Sequence, residues 1–283
     1  MSTVIDRPAV DGPAPAPAPR RRRGERSKTF WRLAVLGEVI VFIALWELAT
    51  SGLELARESF LPPPTAVFSS LVDLVGEEEF FDALLFSLKN LAIGLLLAAV
   101  VGIAVGLVVG WFRVLHFTAA PLLWTLYSTP KVALAPLLIL GFGLGSTSKI
   151  ALVFLLAVFP IMLNTMEGVR TVGGSLVRAA RVYDVNGLAL GRKVVLPAAF
   201  PFVLVGLQRG VALAFTGEIL GEFLGGAGGL GHMLERATFD FRMDDALAIV
   251  VIMALVANAG LLIVGALQRR FAPWHQGETV AIG

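Results

Sequence analysis

The sequence predicts an all-α polytopic membrane protein with six transmembrane helices. Three observations lead there. The 283 residues are 57% hydrophobic and 16% charged, with a mean hydropathy of +0.81, well outside the soluble globular range. Six apolar runs, each long enough to cross a bilayer, follow one another along the chain. Between the fourth and fifth lies a basic amphipathic segment, Ser175 to Pro197, reading SLVRAARVYDVNGLALGRKVVLP, which a membrane domain does not need for its own packing. The absence of cysteine excludes disulfides, thiolate metal sites and cysteine nucleophiles. His116, His232 and His275 are far apart in the chain, and no HExxH is present, so no metal site is expected.

Residues 1–29 read as an extended, disordered cytoplasmic tail, with alternating Pro and Ala over residues 13–19 and a basic cluster Arg20 to Arg23. Residues 30–272 form the six-helix domain, and residues 273–283 a short cytoplasmic tail. Helix one spans about 31–50. It contains Glu38 and Glu47 and lies far from the N-terminus, so a retained helix is expected rather than a cleaved signal peptide. An outer loop follows with Pro62-Pro63-Pro64, one amphipathic helix and Glu77-Glu78-Glu79. Helix two, about 86–112, carries Gly94, Gly102, Gly106 and Gly110; the GxxxG spacings suit close packing against another helix.

Helix three, about 118–140, is interrupted by Pro121, Pro130 and Pro136, with Tyr127-Ser128-Thr129-Pro130-Lys131 in mid-run. Broken helices at membrane depth are tolerated where protein or a water-filled path satisfies the freed backbone. Tyr127, Ser128, Thr129 and Lys131 are therefore candidates for lining a pathway. The alternative is a kinked packing helix whose Lys131 reaches a carboxylate or snorkels outward. Helix four covers about 149–166. Helix five, about 199–220, adds Arg209, Thr216 and Glu218, with Glu222 one turn beyond, so that the two glutamates can face one cavity. Gly226 opens a formal GxGxxG, but it follows an apolar helix and no βαβ unit surrounds it, so it reads as a tight outer turn. Helix six spans about 246–267.

Six spans put both termini on one side. Arg20 to Arg23, Arg113, Arg170, Arg178, Arg181, Arg192, Lys193, Arg269 and Arg270 all fall on that side, whereas the opposite loops hold mainly Arg57, Arg236 and Arg242 among many acids. The positive-inside rule makes the termini and the 175–197 segment cytoplasmic. Within the segment, Leu176, Val177, Ala180 and Val182/Tyr183 share one face of a helix that Ser175 can cap, and Arg178 and Arg181 project elsewhere. Asp184-Val185-Asn186-Gly187 breaks that helix with residues tolerant of a left-handed turn, and a second helix ends at Pro197. A helix–turn–helix knuckle suits docking into a cytosolic cleft; an interfacial hairpin on lipid headgroups is the plainer reading.

The knuckle resembles the "EAA" loop of ABC importer permeases, which carries Glu-Ala-Ala, a glycine six residues after the Glu, and a closing apolar-x-Leu-Pro. Here Arg178-Ala179-Ala180, Asp184 and Val194-Val195-Leu196-Pro197 occupy those places. Further matches to the nitrate/sulfonate/taurine group of these permeases are Leu61-Pro62-Pro63-Pro64-Thr65, residues 136–143, Phe159-Pro160-Ile161, Gly221-Glu222-Phe223-Leu224 and Gly229-Leu230-Gly231. The resemblance covers about residues 60–270. It implies a type I ABC importer permease-like fold in the inner membrane, and partners comprising a second permease copy, two cytosolic ABC ATPases and an extracytoplasmic solute-binding protein, with no nucleic acid.

It also implies that Arg178, Ala179, Ala180, Asp184, Gly187, Leu196 and Pro197 dock the ATPase. ATP and Mg belong to that partner, because this chain has no GxxxxGK[ST], and the chain itself is a transport subunit rather than an enzyme. The family's leading glutamate is Arg178 here and its glycine is Asp184, so an acidic residue is expected on the ATPase opposite Arg178. The implied cargo is a small anion such as an aliphatic sulfonate, taurine or nitrate, moved by alternating access. A thiamine-precursor-like heterocycle is the alternative cargo. An ion-coupled secondary transporter is disfavoured because no inverted repeat is visible, and an enzyme because no convergent acid, base and nucleophile is visible.

Overall fold

The structure, a computed structural model, describes residues 28–52 and 61–271. The two expected tails and Arg57 lie outside these residues, except that Lys28 and Thr29 already begin the first helix. Residues 1–46 and 47–283 form two compact units. The first contributes nearly all of α1 (Lys28–Glu47), which continues into a π-helical turn, Leu48–Gly52. The second holds α2 (Pro64–Val75), α3 (Glu78–Trp111), α4 (Arg113–Ser128), a 3-10 turn (Lys131–Leu134), α5 (Ala135–Phe142) and α6 (Ser146–Arg170). It continues through α7 (Gly174–Val182), α8 (Gly187–Leu190), a π-helical turn (Gly191–Val195), α9 (Leu196–Gly225), α10 (Leu230–Phe239) and α11 (Met243–Phe271). Among the described residues five helical stretches are long and apolar enough to cross a membrane. A sixth results if α4 and the Lys131–Phe142 stretch are one span bent by 78°.

The core of the second unit is α6, packed between α3 and α9. Two-thirds of its apolar window is buried, against about a quarter to a third for α3, α9 and α11. The glycines set the register. Gly94 faces Val153, Gly102 faces Ile161, Gly106 faces Thr165 and Gly110 faces Val169, so steps of four on α3 match steps of four on α6 and the two helices run parallel. A Cβ on Gly106 would sit 2.5 Å from the Met162 carbonyl oxygen, so the expected small-residue seam exists and its partner is α6. A parallel pair requires the chain to return between them, and α4–α5 provides that return. On the other side of α6, Gly206 packs on Asn164 and Ile161, Gly210 on Ile161, Gly217 on Val153 and Gly221 on Lys149, which makes α9 antiparallel to α6.

α11 runs back along α9: Gln208 bonds Gln268 at 2.8 Å, and Gly260 packs against Val211 and Phe215. The C-terminal ends of α3, α6 and α11 and the N-terminal end of α9 therefore gather at one end of the bundle, with Arg113, Arg170, Arg192, Lys193, Arg269 and Arg270. Glu77, Glu78, Glu79, Asp82, Asp240, Asp244 and Asp245 lie at the opposite end. A basic end and an acidic end are thus built into the fold.

Several boundaries differ from the sequence reading. α3 starts at Glu78 rather than near residue 86, because Glu78 and Glu79 fall in its first turn, where carboxylates complement the helix dipole. Ser175 does not cap α7; Gly173 precedes the helix and Ser175 lies inside it. The second knuckle helix does not end at Pro197. The stretch Gly187–Gly225 is continuously helical, because the π turn carries a Leu196 N–H to Gly191 O bond immediately before Pro197, and local π geometry accommodates a residue with no N–H to donate.

Candidate functional site

The knuckle forms as two short helices around a turn. Tyr183 and Val185 N–H both bond the Ala180 carbonyl, at 3.2 and 3.0 Å. Asp184 has φ 59 and Gly187 φ 53, the left-handed positions that the residue types anticipate. Asn186 Nδ2 donates to Asp184 Oδ1 at 3.3 Å, which steadies an aspartate where the related loop has glycine. Arg178, Ala179, Asp184, Gly187, Leu196 and Pro197 are exposed, and Ala180 is half-buried. The largest apolar groups at the tip are almost fully exposed: Val182 83%, Tyr183 82% and Leu188 89%. The hairpin thus presents an apolar tip flanked by Arg178 and Arg181.

The broken span is built around Lys131. Pro130 has no N–H to continue α4, so the last carbonyls of that helix need other donors. Lys131 Nζ supplies them, donating to Tyr127 O at 2.6 Å and to Thr129 O at 3.3 Å. The ammonium also lies 5.0 Å from the centroid of each of two rings, Tyr127 and Phe159. Among the described residues Lys131 thus meets no carboxylate; it caps the helix break. Ser128 and Thr129 are exposed and bond carbonyls of their own helix, Trp124 O and Thr125 O.

α9 has two different faces. Arg209, Ala212 and Thr216 are exposed along one stripe; Thr216 bonds Ala212 O within the helix, and Arg209 makes no ion pair with any described residue. Glu218 and Glu222 point inward and are buried. They line one cavity, as their spacing anticipates, but its volume is about 20 Å³, room for roughly one water and no passage for a solute.

The inward cluster contains residues that the sequence reading left aside. Ser87 Oγ donates to Glu222 Oε1 at 2.6 Å and accepts from Leu230 N–H at 2.9 Å, and Gly231 N–H donates to Glu222 Oε2 at 2.8 Å. Lys149, fully buried, interacts electrostatically with both glutamates, donates to Leu144 O at 3.0 Å and lies 5.4 Å from the Phe86 ring centroid. Asn90, also fully buried, lies against Glu218. Lys149 is the cation beside the acid pair. The signal available in sequence was a lysine opening an apolar span, which requires a buried carboxylate somewhere. The Gly225–Gly231 stretch is the tight turn expected, with Gly226, Gly228 and Gly229 at positive φ, and it wraps the Glu222 carboxylate so closely that a Cβ on Gly229 would clash with it.

The fold is a helical membrane bundle with a broken span, a basic end and an exposed apolar-tipped hairpin. Residues 91–276 match the family described as the binding-protein-dependent transport system inner membrane component, and the chain belongs to that family. It is 31% identical over 250 residues to the Bacillus subtilis permease SsuC, named for aliphatic sulfonates transport, covering 88% of this chain and 90% of that one. It is 31% identical over 245 residues to the taurine transport system permease protein TauC of Escherichia coli, covering 85% and 89%. The formylaminopyrimidine transport permease protein ThiX of Halalkalibacterium halodurans is 30% identical over 239 residues, covering 84% and 94%. The chain is thus an ABC importer permease, an all-helical inner-membrane transport subunit of the type the knuckle and proline motifs resemble.

Proposed function

We propose that this permease, paired with a second copy of itself, carries a small anion of the aliphatic sulfonate or taurine kind from a solute-binding protein into the cytoplasm. The observation that carries the reading is Arg209. It stands near the middle of a 30-residue span, exposed and without an ion pair to any described residue, and a guanidinium at membrane depth needs water, a counter-charge or a ligand. In this reading the Arg209–Thr216 stripe faces the pathway between two copies, and Tyr127, Ser128, Thr129 and Lys131 of the broken span contribute to its lining. The names of the relatives SsuC and TauC support an anionic cargo.

Two cytosolic ATPases holding ATP and Mg engage the knuckles through Val182, Tyr183 and Leu188. Arg178 meets an acidic residue of the ATPase, and Ala179, Ala180, Asp184, Gly187, Leu196 and Pro197 shape the contact. ATP-driven closure then moves α9 directly, because the second knuckle helix and the span are one continuous helix, and the bundle alternates between inward and outward access. Both termini lie with the ATPases. ThiX favours a second reading, a neutral or cationic heterocycle as cargo. Purification from the native membrane, followed by ATPase assays with the binding protein and candidate solutes, separates the two. Stimulation by a sulfonate that Arg209→Gln abolishes supports the anion. Stimulation by a pyrimidine that survives Arg209→Gln supports the heterocycle. A chain that purifies without any ATPase overturns both.

A further inference from the structure

A groove of about 470 Å³ opens at the basic end of the bundle, between the end of α3 and the start of the α8–α9 stretch. Its walls are Leu107, Val108, Trp111, Val169 and Val195, with Leu188 also lining it. Arg192 is its single charged lining residue, and no acid lines it. The floor is fixed by Trp111, whose ring approaches Gly191 so closely that a Cβ there would stand 3.2 Å away. Lys193 follows Arg192 in the chain, and Arg113, whose guanidinium lies 5.6 Å from the Phe117 ring centroid, follows the lining residue Phe112. The size is that of a small-ligand pocket, its depth is where spans meet headgroups, and an exposed tryptophan marks that boundary.

We propose that this groove seats one acyl chain of an anionic phospholipid, with the lipid phosphate held by Arg192. An apolar slot leads to cations without a competing carboxylate. That pairing suits a negatively charged headgroup, and basic recesses between spans are a recurrent seat for such lipids. A zwitterionic lipid fills the slot and offers a phosphate too, but it brings a choline cation to the same basic end, which an anionic headgroup does not. A protein segment is less well matched, because a groove apolar to its floor with one cation at the mouth offers few groups to satisfy a backbone. A lipid seated there touches both α3 and the helix that carries the knuckle, so its occupancy bears on the joint through which knuckle movement passes.

The test is native mass spectrometry of the chain, purified in detergent with whatever partners accompany it, after exposure to phosphatidylglycerol or phosphatidylcholine. One phosphatidylglycerol is retained per chain in preference to phosphatidylcholine. Arg192→Gln lowers that preference about fivefold, the effect of one basic contact at an anionic lipid surface. Val108→Trp fills the slot and lowers retention of both lipids, and Lys89→Gln, at the other end of the bundle, changes neither. Equal retention of the two lipids, or an equal loss in Lys89→Gln, overturns the proposal. So does a photo-crosslinker at position 108 that captures a second copy or an ATPase instead of lipid.

Discussion

The Ser87 hydroxyl and the Glu222 carboxylate, 135 positions apart, are joined by a buried hydrogen bond of 2.6 Å. The same hydroxyl accepts the Leu230 N–H, and the same carboxylate accepts the Gly231 N–H. One side chain from α3 and one from α9 thereby hold the start of α10, and the acidic end of the bundle is tied by polar groups where the rest is packed by glycine. Ser87→Ala leaves Leu230 N–H and one carboxylate oxygen without partners in a buried place. The expected cost is about 1–3 kcal/mol, a fall in melting temperature of about 2–12 °C for a chain of this size. Thermal unfolding in detergent checks it, with Thr118→Ala as the control: that exposed hydroxyl bonds only its own helix. Equal melting temperatures would remove Ser87 from the account of the fold.

The seam between α3 and α6 depends on backbone contact rather than on side-chain filling. At Gly106 an added Cβ meets Met162 O at 2.5 Å and Thr165 Cβ at 2.7 Å, whereas at Gly141 nothing lies within 4 Å. A carbonyl oxygen inside a helix cannot rotate away, so Gly106→Ala must push two spans apart. Overpacking of this kind costs about 1–3 kcal/mol. Gly141→Ala, within α5, is neutral or gains up to about 1 kcal/mol from helix propensity. Yield of monodisperse protein and melting temperature should separate the two variants clearly. If both behave alike, the parallel packing of α3 on α6 is wrong.

Much of this arrangement is legible in the sequence, for reasons that also explain what is not. Apolar runs of bilayer length announce the spans, and Thr129-Pro130 announces the break because a missing N–H cannot be hidden. The left-handed Asp184 and the shared cavity of Glu218 and Glu222 follow from residue type and spacing, which are local properties. Helix ends are less legible: Pro197 looks like a terminator, yet a π turn before it lets the knuckle run straight into α9. The cluster of Ser87, Asn90 and Lys149 around the acid pair is the least legible part: Lys149 at the start of an apolar span signals a buried counter-charge without saying which one. Each member sits in a different span from the acids, and nothing in one span records which neighbour will supply the counter-charge. The same limit leaves an acid partner open for Lys131 in the sequence, whereas in the structure it meets carbonyls and rings.

At the knuckle, Val182, Tyr183 and Leu188 contribute almost nothing to the stability of the chain because they touch little of it. Tyr183→Asp should leave the melting temperature within about 1 °C, as expected for an exposed position. Placed at the centre of a docking surface, the same change costs at least about 2 kcal/mol, roughly a 30-fold loss of affinity. Co-purification of the ATPase with the wild-type and Tyr183→Asp chains measures this. Retention of the ATPase at wild-type levels would mean that the exposed tip is not the docking surface.

Lys131 and Arg209 are the two cations nearest the proposed pathway, and the structure gives them different burdens. Lys131 supplies hydrogen bonds to the Tyr127 and Thr129 carbonyls at the end of α4 and stands over two rings. Lys131→Met should therefore lower the melting temperature, with a cost of about 1–3 kcal/mol for the freed carbonyls. Any loss of transport it causes is then partly a loss of fold. Arg209 has no such partners, so Arg209→Gln should leave the melting temperature unchanged while weakening transport of an anionic solute. Loss of a charge-assisted hydrogen bond is worth about 1.5–3 kcal/mol, roughly a 10-fold to 150-fold rise in KM for uptake into proteoliposomes containing the complete transporter. Arg209→Lys, which keeps the charge and loses the planar fork, should fall between. A drop in melting temperature with Arg209→Gln would show that the guanidinium is a structural group of the assembled bundle. Unchanged stability with unchanged uptake would take Arg209 out of the pathway and leave the broken span as its lining.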